Sequence, residues 1–96
     1  MNKPTAEARI NIERLKSNIL ELSNIGKREN GGIYRMAFSD ADFEARQWMI
    51  EKFREAGMET RLDGALNVVG RLEGKRSEKP GILLGSHIDT VPNAGA

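Results

Sequence analysis

Along the first quarter of the chain, Ile12, Leu15, Ile19 and Leu22 recur three and four positions apart. That spacing is one face of a helix. Asn11 is a good N-cap, Ile10 and Leu15 occupy the two positions of a hydrophobic staple, and Glu13 puts negative charge in the first turn. Gly26 ends the pattern as a C-cap, and residues 27–32 follow as a polar loop with two glycines. A second helix is announced by Ser39 with Asp42 three residues on, a capping-box pattern in which Asp replaces the usual Glu. Phe38 and Phe43 flank it at staple positions. Phe43, Ile50 and Phe53, with Ala45, Met49 and Ala56, supply the buried face. Gly57 stops this helix, with Met58 and Phe53 placed to touch across the cap.

Beyond Gly57 the period changes to two. Met58, Thr60 and Leu62 alternate with charged residues, which predicts a half-exposed strand. Asp63-Gly64 is a turn signal, and residues 66–72 predict a second, antiparallel strand. A charged loop over 73–79 leads through Pro80 and Gly81 to Ile82-Leu83-Leu84, a short unbroken apolar run that predicts a strand buried on both faces. The order helix, helix, strand, strand, strand predicts an α/β fold: two helices packed on the beginning of a mixed sheet. A strand buried on both faces needs a layer above and below it. Two helices cover one face and little is left for the other. Residues 1–96 are therefore expected to be the first part of a larger α/β domain, with no second domain present.

Composition narrows the partners. Hydrophobic residues are 39% and charged residues 30%, an ordinary globular balance. Fifteen basic against fourteen acidic residues leave a net charge of +1, which gives no electrostatic reason to expect nucleic acid or an anionic membrane. No apolar run approaches the roughly 18 residues that span a bilayer. The opening Met1–Glu7 has one basic residue and no apolar stretch behind it, so no signal peptide and a cytoplasmic location are expected. With no cysteine, disulfide scaffolds and Cys-based zinc sites are excluded. The single histidine, His87, means that one copy of this chain cannot build a site from two histidines.

His87 and Asp89 follow directly on the apolar run, and ligand sites in open α/β sheets lie outside the carboxyl ends of strands. In extended chain, residues i and i+2 project to the same side. A His with a carboxylate beside it suits a metal ligand oriented through its other ring nitrogen, or a general acid or base. On spacing alone a plain structural pair is the commoner outcome. Elsewhere, capping is a sufficient role for Asp42. Arg35 is placed either at the surface, solvated or salt-bridged, or reaching substrate. Trp48 lies off the apolar line of its helix, and packs under the sheet or against a neighbouring domain. Asn67 is expected to bond nearby backbone. Lys75, Arg76 and Lys79, interrupted by acidic residues, read as a solvated loop.

The longer string Gly85-Ser86-His87-Ile88-Asp89-Thr90-Val91-Pro92-Asn93-Ala94-Gly95, behind Ile82-Leu83-Leu84, resembles the first metal-binding motif of the dinuclear metallopeptidase and amidohydrolase superfamily. The loop Gly32-Ile33-Tyr34-Arg35-Met36-Ala37-Phe38-Ser39, together with Ala56-Gly57-Met58-Glu59, Asp63 and Asn67-Val68-Val69-Gly70, resembles one branch: N-carbamoyl-L-amino acid hydrolases, allantoate amidohydrolases and β-ureidopropionases. The likeness runs from about Ile10 to Ala96. Leu66 departs from it, standing where many relatives have Gly, which bears on the shape of a turn.

The resemblance implies an N-terminal part of a metallohydrolase catalytic domain. It makes His87 a ligand to one of two divalent metal ions, with zinc and manganese foremost, and Asp89 the group that orients the His87 ring. It implies hydrolysis of a non-peptide carbon–nitrogen bond in a small amide or ureido substrate by a complete protein that is a homodimer. The remaining ligands, a Glu general base and a substrate-binding domain are not in this sequence, so the 96 residues alone are expected to be inactive. Two alternatives stand beside this: a peptidase or deacylase of the same superfamily, and a non-catalytic truncated remnant that self-associates or binds a partner.

Overall fold

The structure is a computed structural model describing residues 8–76 and 78–95. Met1–Glu7, Ser77 and Ala96 lie outside the described residues, and with them the reading of the opening segment as no signal peptide. Two helices come first, α1 (Ile12–Ser23) and α2 (Asp40–Glu55), then a hairpin of β1 (Glu59–Leu62) and β2 (Val68–Arg71).

α1 starts where its cap predicts: Asn11 accepts the Arg14 N–H at 3.1 Å. Its end differs from expectation. The C-cap is Asn24, whose N–H turns back to Glu21 and Leu22 carbonyls, and Gly26 lies two residues beyond it. Gly26 instead carries the chain through φ +84° into a close approach to Tyr34. A Cβ there would sit 2.7 Å from the Tyr34 carbonyl oxygen, so a side chain would force this crossing apart.

α2 is capped at both ends. The Ser39 hydroxyl accepts the Asp42 N–H at 3.2 Å. The reciprocal bond of the capping box is shifted by one residue: the Asp42 carboxylate accepts from Phe38 N–H at 2.9 Å, because Ser39 N–H is already donated to Met36 O. Phe38 adopts φ +65° to present that N–H. At the far end Gly57 (φ +83°) donates to Arg54 O and Met58 donates to Phe53 O, the paired bonds of a Schellman cap.

β1 and β2 pair antiparallel with Thr60 opposite Gly70. Gly70 is small for a reason of packing: a Cβ there would lie 2.5 Å from the Phe53 ring and 2.9 Å from Met58 Sδ. The hairpin thus closes directly on the end of α2. Its turn is tied by Asp63, whose carboxylate accepts from Ala65 N–H, Asn67 N–H and the Asn67 side-chain amide at 2.8–2.9 Å. Asn67 therefore bonds a side chain rather than the backbone expected of it. β2 is shorter than the predicted 66–72 because Leu66 takes φ +66° and belongs to the turn.

The fold class stands, as α/β with two helices beside the beginning of a sheet, but the sheet has two antiparallel strands and is not yet mixed. Ile82-Leu83-Leu84 forms no strand and is 93%, 91% and 88% exposed. A strand buried on both faces requires a paired neighbour and two covering layers. Neither is present among the described residues. Among the described residues the buried set is small: Ile33, Arg35, Asp42, Ala45 and Ile50. The Cα radius of gyration is 16.4 Å, against about 13 Å for a compact domain of 100 residues.

Candidate metal-ligand segment

The segment that carries His87 is held by a loop far from it in sequence. Ile33 and Ala94 exchange backbone hydrogen bonds at 2.8 and 3.0 Å. Thr90 N–H donates to Arg35 O at 2.7 Å, and Arg35 N–H donates to the Thr90 hydroxyl oxygen at 2.8 Å. The same hydroxyl donates to Ile33 O at 3.3 Å. Asn93 is in the left-handed region (φ +58°), and its side-chain oxygen accepts from Asn30 at 3.3 Å. A Cβ on Gly32 would collide with that Asn93 side chain. Residues 88–94 therefore lie along residues 30–35 like a short, irregular strand pair.

Arg35 is 5% exposed. Its Nε donates to Ile88 O at 2.8 Å, and one Nη donates to Leu22 O at 2.8 Å and Ile25 O at 2.7 Å. The surface placement expected of it is thereby corrected. Burial pushes its pKa down and the nearby Asp42 opposes that shift. Arg35 was not legible as a clamp because its partners are 10, 13 and 53 residues away. Asp42 is 1% exposed and forms an ion pair with Arg46 at 2.8 Å, so its role exceeds capping.

At the tip of the segment, His87 Nδ1 lies 3.1 Å from both the Asp89 carboxylate and the Asp89 backbone oxygen. Two acceptors at one nitrogen favour the tautomer with its proton on Nδ1, which leaves the lone pair on Nε2. The His87 side chain is 80% exposed and that of Asp89 44%. The structure thus brings these two residues together and leaves the ring open on its far side. That arrangement fits a metal-ligating histidine oriented by a carboxylate. Among the described residues no group of three His, Cys, Asp or Glu side chains converges to complete a metal site.

Trp48 packs against α1 instead of the sheet, donating its indole N–H to Glu21 at 3.2 Å, with Lys52 bridging to Glu21 and Glu55. The Trp48 hydrogen bond, then Lys52, hold the Glu21 carboxyl below its ordinary pKa. Two open clefts lie between α1 and α2, and neither includes His87 or Asp89. No helix among the described residues is long and apolar enough to cross a membrane.

Comparison with known proteins places this segment. No family model matches the chain. The chain is 42% identical over 86 residues to N-carbamoyl-L-amino-acid amidohydrolase of Pseudomonas sp. (strain NS671), covering 90% of this chain and 21% of that protein. It is 39% identical over 74 residues to allantoate amidohydrolase of Escherichia coli (strain K12), covering 77% and 18%. A crystal structure of a hydantoinase/carbamoylase family amidase from Burkholderia ambifaria superposes with a TM-score of 0.86 at 32% identity, covering 90% of this chain and 21% of that one. The chain is homologous to one part of the carbamoylase and allantoate amidohydrolase family. It spans about a fifth of the length of the curated relatives it matches. Despite its open form, most of the fold described above is thus shared with a solved amidase.

Proposed function

We propose that the protein bearing this chain is a metal-dependent amidohydrolase that cleaves a non-peptide carbon–nitrogen bond in an N-carbamoyl-L-amino acid or a ureide such as allantoate. The relatives' names support the reaction class. The observation that carries the role of this chain is the His87–Asp89 pair at 3.1 Å beside an exposed ring. In this reading His87 offers Nε2 as a ligand, and Asp89 holds the Nδ1 proton and fixes the ring plane. A divalent ion held by His87, zinc or manganese in this reading, would supply Lewis-acid chemistry and lower the pKa of a water. Residues 1–96 form part of the catalytic domain of a homodimer that takes a small amide or ureido substrate. The chain contributes one ligand and its orienting partner, so the 96 residues alone are inactive.

The test is a substrate panel on the gene product at its natural length, with and without EDTA. Turnover of N-carbamoyl-L-amino acids or allantoate that disappears with EDTA and with His87→Ala is the expected result. Turnover confined to dipeptides or N-acyl amino acids moves the assignment to a peptidase or deacylase. EDTA-sensitive, His87-dependent turnover by the purified 96-residue chain overturns its proposed inactivity. A second, non-catalytic reading is favoured by the bare Ile82-Leu83-Leu84 run: exposed apolar surface of this kind promotes self-association. A sharp monomer peak with cooperative unfolding of the purified chain argues against it.

A further inference from the structure

Outside the His87–Asp89 pair, the chemistry-bearing group with the most unusual surroundings is the Arg35 guanidinium. It is buried, and three of its hydrogen bonds end on main-chain carbonyls. Leu22 is in the last turn of α1, Ile25 lies just past its C-cap, and the third, Ile88, lies between His87 and Asp89. The Arg35 backbone adds two more bonds to Thr90, so the residue grips the segment on both sides of Asp89.

From this geometry we infer that Arg35 is the positioning residue of the His87 segment: it fixes the Ile88 carbonyl, and through it the angle at which His87 and Asp89 leave the α1–α2 scaffold. First, among the described residues the Ile82–Leu84 run that precedes the segment is unpaired, and the segment is held by its bonds to residues 30–35. Second, two side chains reach the main chain of Ile88 and Asp89: Arg35 at the Ile88 carbonyl and His87 at the Asp89 carbonyl. Third, a guanidinium is a planar fork with fixed donor directions, so its Nε and Nη bonds relate the Ile88 carbonyl rigidly to the end of α1. A flexible ammonium carries the charge without that angular relation. Asp42 supports the clamp electrostatically from the start of α2. Two helices and the loop between them thereby converge on one carbonyl.

The inference builds on the proposed role of His87, and its test separates the two. Arg35→Lys, Arg35→Met and His87→Ala are made in the protein at its natural length. Each is read by zinc affinity in competition with a chromophoric chelator, by amide hydrogen exchange at Thr90 and Ala94, and by circular dichroism and thermal unfolding. Arg35→Met is expected to weaken zinc binding on the order of 10-fold or more, the usual effect of losing a group that orients a metal ligand. Thr90 and Ala94 should exchange faster while the helical signal persists. Arg35→Lys is expected to keep the fold and recover only part of the affinity. If Arg35→Met does not fold, Arg35→Lys decides: zinc affinity and exchange both as in the parent protein overturn the inference. The same result in a folded Arg35→Met overturns it too. If His87→Ala leaves zinc binding intact, the metal role of His87 falls, and Arg35 is judged by exchange alone. Unchanged protection of Thr90 and Ala94 then refutes it, and lost protection sustains it.

Discussion

The start of α2 and the Ile82-Leu83-Leu84 run carry equally plain signals in the sequence, yet the structure treats them oppositely. Around Ser39 and Asp42 the cap bonds and the Arg46 ion pair are made, one Asp42 oxygen is left without a partner, and Asp42 and Ala45 are buried. The apolar run Ile82-Leu83-Leu84, well beyond the end of α2, is bare on all sides. The difference lies in where the partners are. A helix cap is completed by residues three or four positions away, so it forms wherever the chain has those residues. A buried strand is completed only by other strands and layers. Where the chain is bonded locally it superposes on a solved amidase with a TM-score of 0.86, and the run that needs distant partners stays uncovered among the described residues.

The largest expected effect comes from the bonded region. Arg35→Met leaves three carbonyls without their charged donor, and hydrogen bonds to charged groups contribute about 1.5–3 kcal/mol each. A net loss of about 3 kcal/mol is expected, allowing for overlap among the three, measured by urea unfolding followed at 222 nm. A loss below about 1 kcal/mol would show that water replaces the clamp freely and that this region is less closed than its bond distances say. Ser39→Ala should cost about 1 kcal/mol through loss of the bond to Asp42 N–H.

A smaller change of opposite sign is expected at the hairpin turn. Leu66 holds φ +66°, where a branched side chain is strained and glycine is not. Leu66→Gly should stabilise the protein by about 0.5–1 kcal/mol, since the strain relieved outweighs the added freedom of the unfolded chain. A lower midpoint in urea would mean that Leu66 packing against neighbours matters more than its backbone. This position shows how much was legible. Asp63-Gly64 announced the turn, and Leu66 at a glycine position marked its unusual shape, but the network from Asp63 to Asn67 depends on a backbone path no pattern encodes. The two helices and both short strands were legible for the same local reason, to within a few residues at their ends. Arg35 was not, because its three acceptors are main-chain atoms, which have no residue signature. At the candidate site the His87–Asp89 contact was legible from the i, i+2 spacing, whereas the loop that carries the pair was visible only as a family likeness.

Acid should release the contact between Trp48 on α2 and Glu21 on α1. The folded protein holds Glu21 below the ordinary glutamate value of 4.5, chiefly through the Trp48 indole. A depressed carboxyl pKa stabilises the fold above the unfolded value, and that contribution is lost as pH falls through the folded one. Trp48 is the single tryptophan, so its emission reports this contact directly. A fluorescence shift with a midpoint below 4.5, abolished in Glu21→Gln, is expected. A shift that survives Glu21→Gln would assign it to another group.

The smallest effect on stability should fall on the bare run, and its smallness is informative. In the 96-residue chain Leu83 is 91% exposed, so Leu83→Glu removes almost no buried area. Its unfolding free energy should change by no more than about 0.5 kcal/mol, as for other surface substitutions. Self-association measured by sedimentation should fall, because a charge on an exposed apolar edge blocks pairing with another chain. In the protein at its natural length the same substitution is expected to cost about 3 kcal/mol or more, because it would place an unpaired carboxylate inside a covered sheet. The contrast between the two lengths is the decisive quantity. Equal, near-zero costs in both would mean that nothing covers Ile82-Leu83-Leu84 even in the longer protein. A large cost already in the 96-residue chain would mean that the run is buried in solution by a second copy.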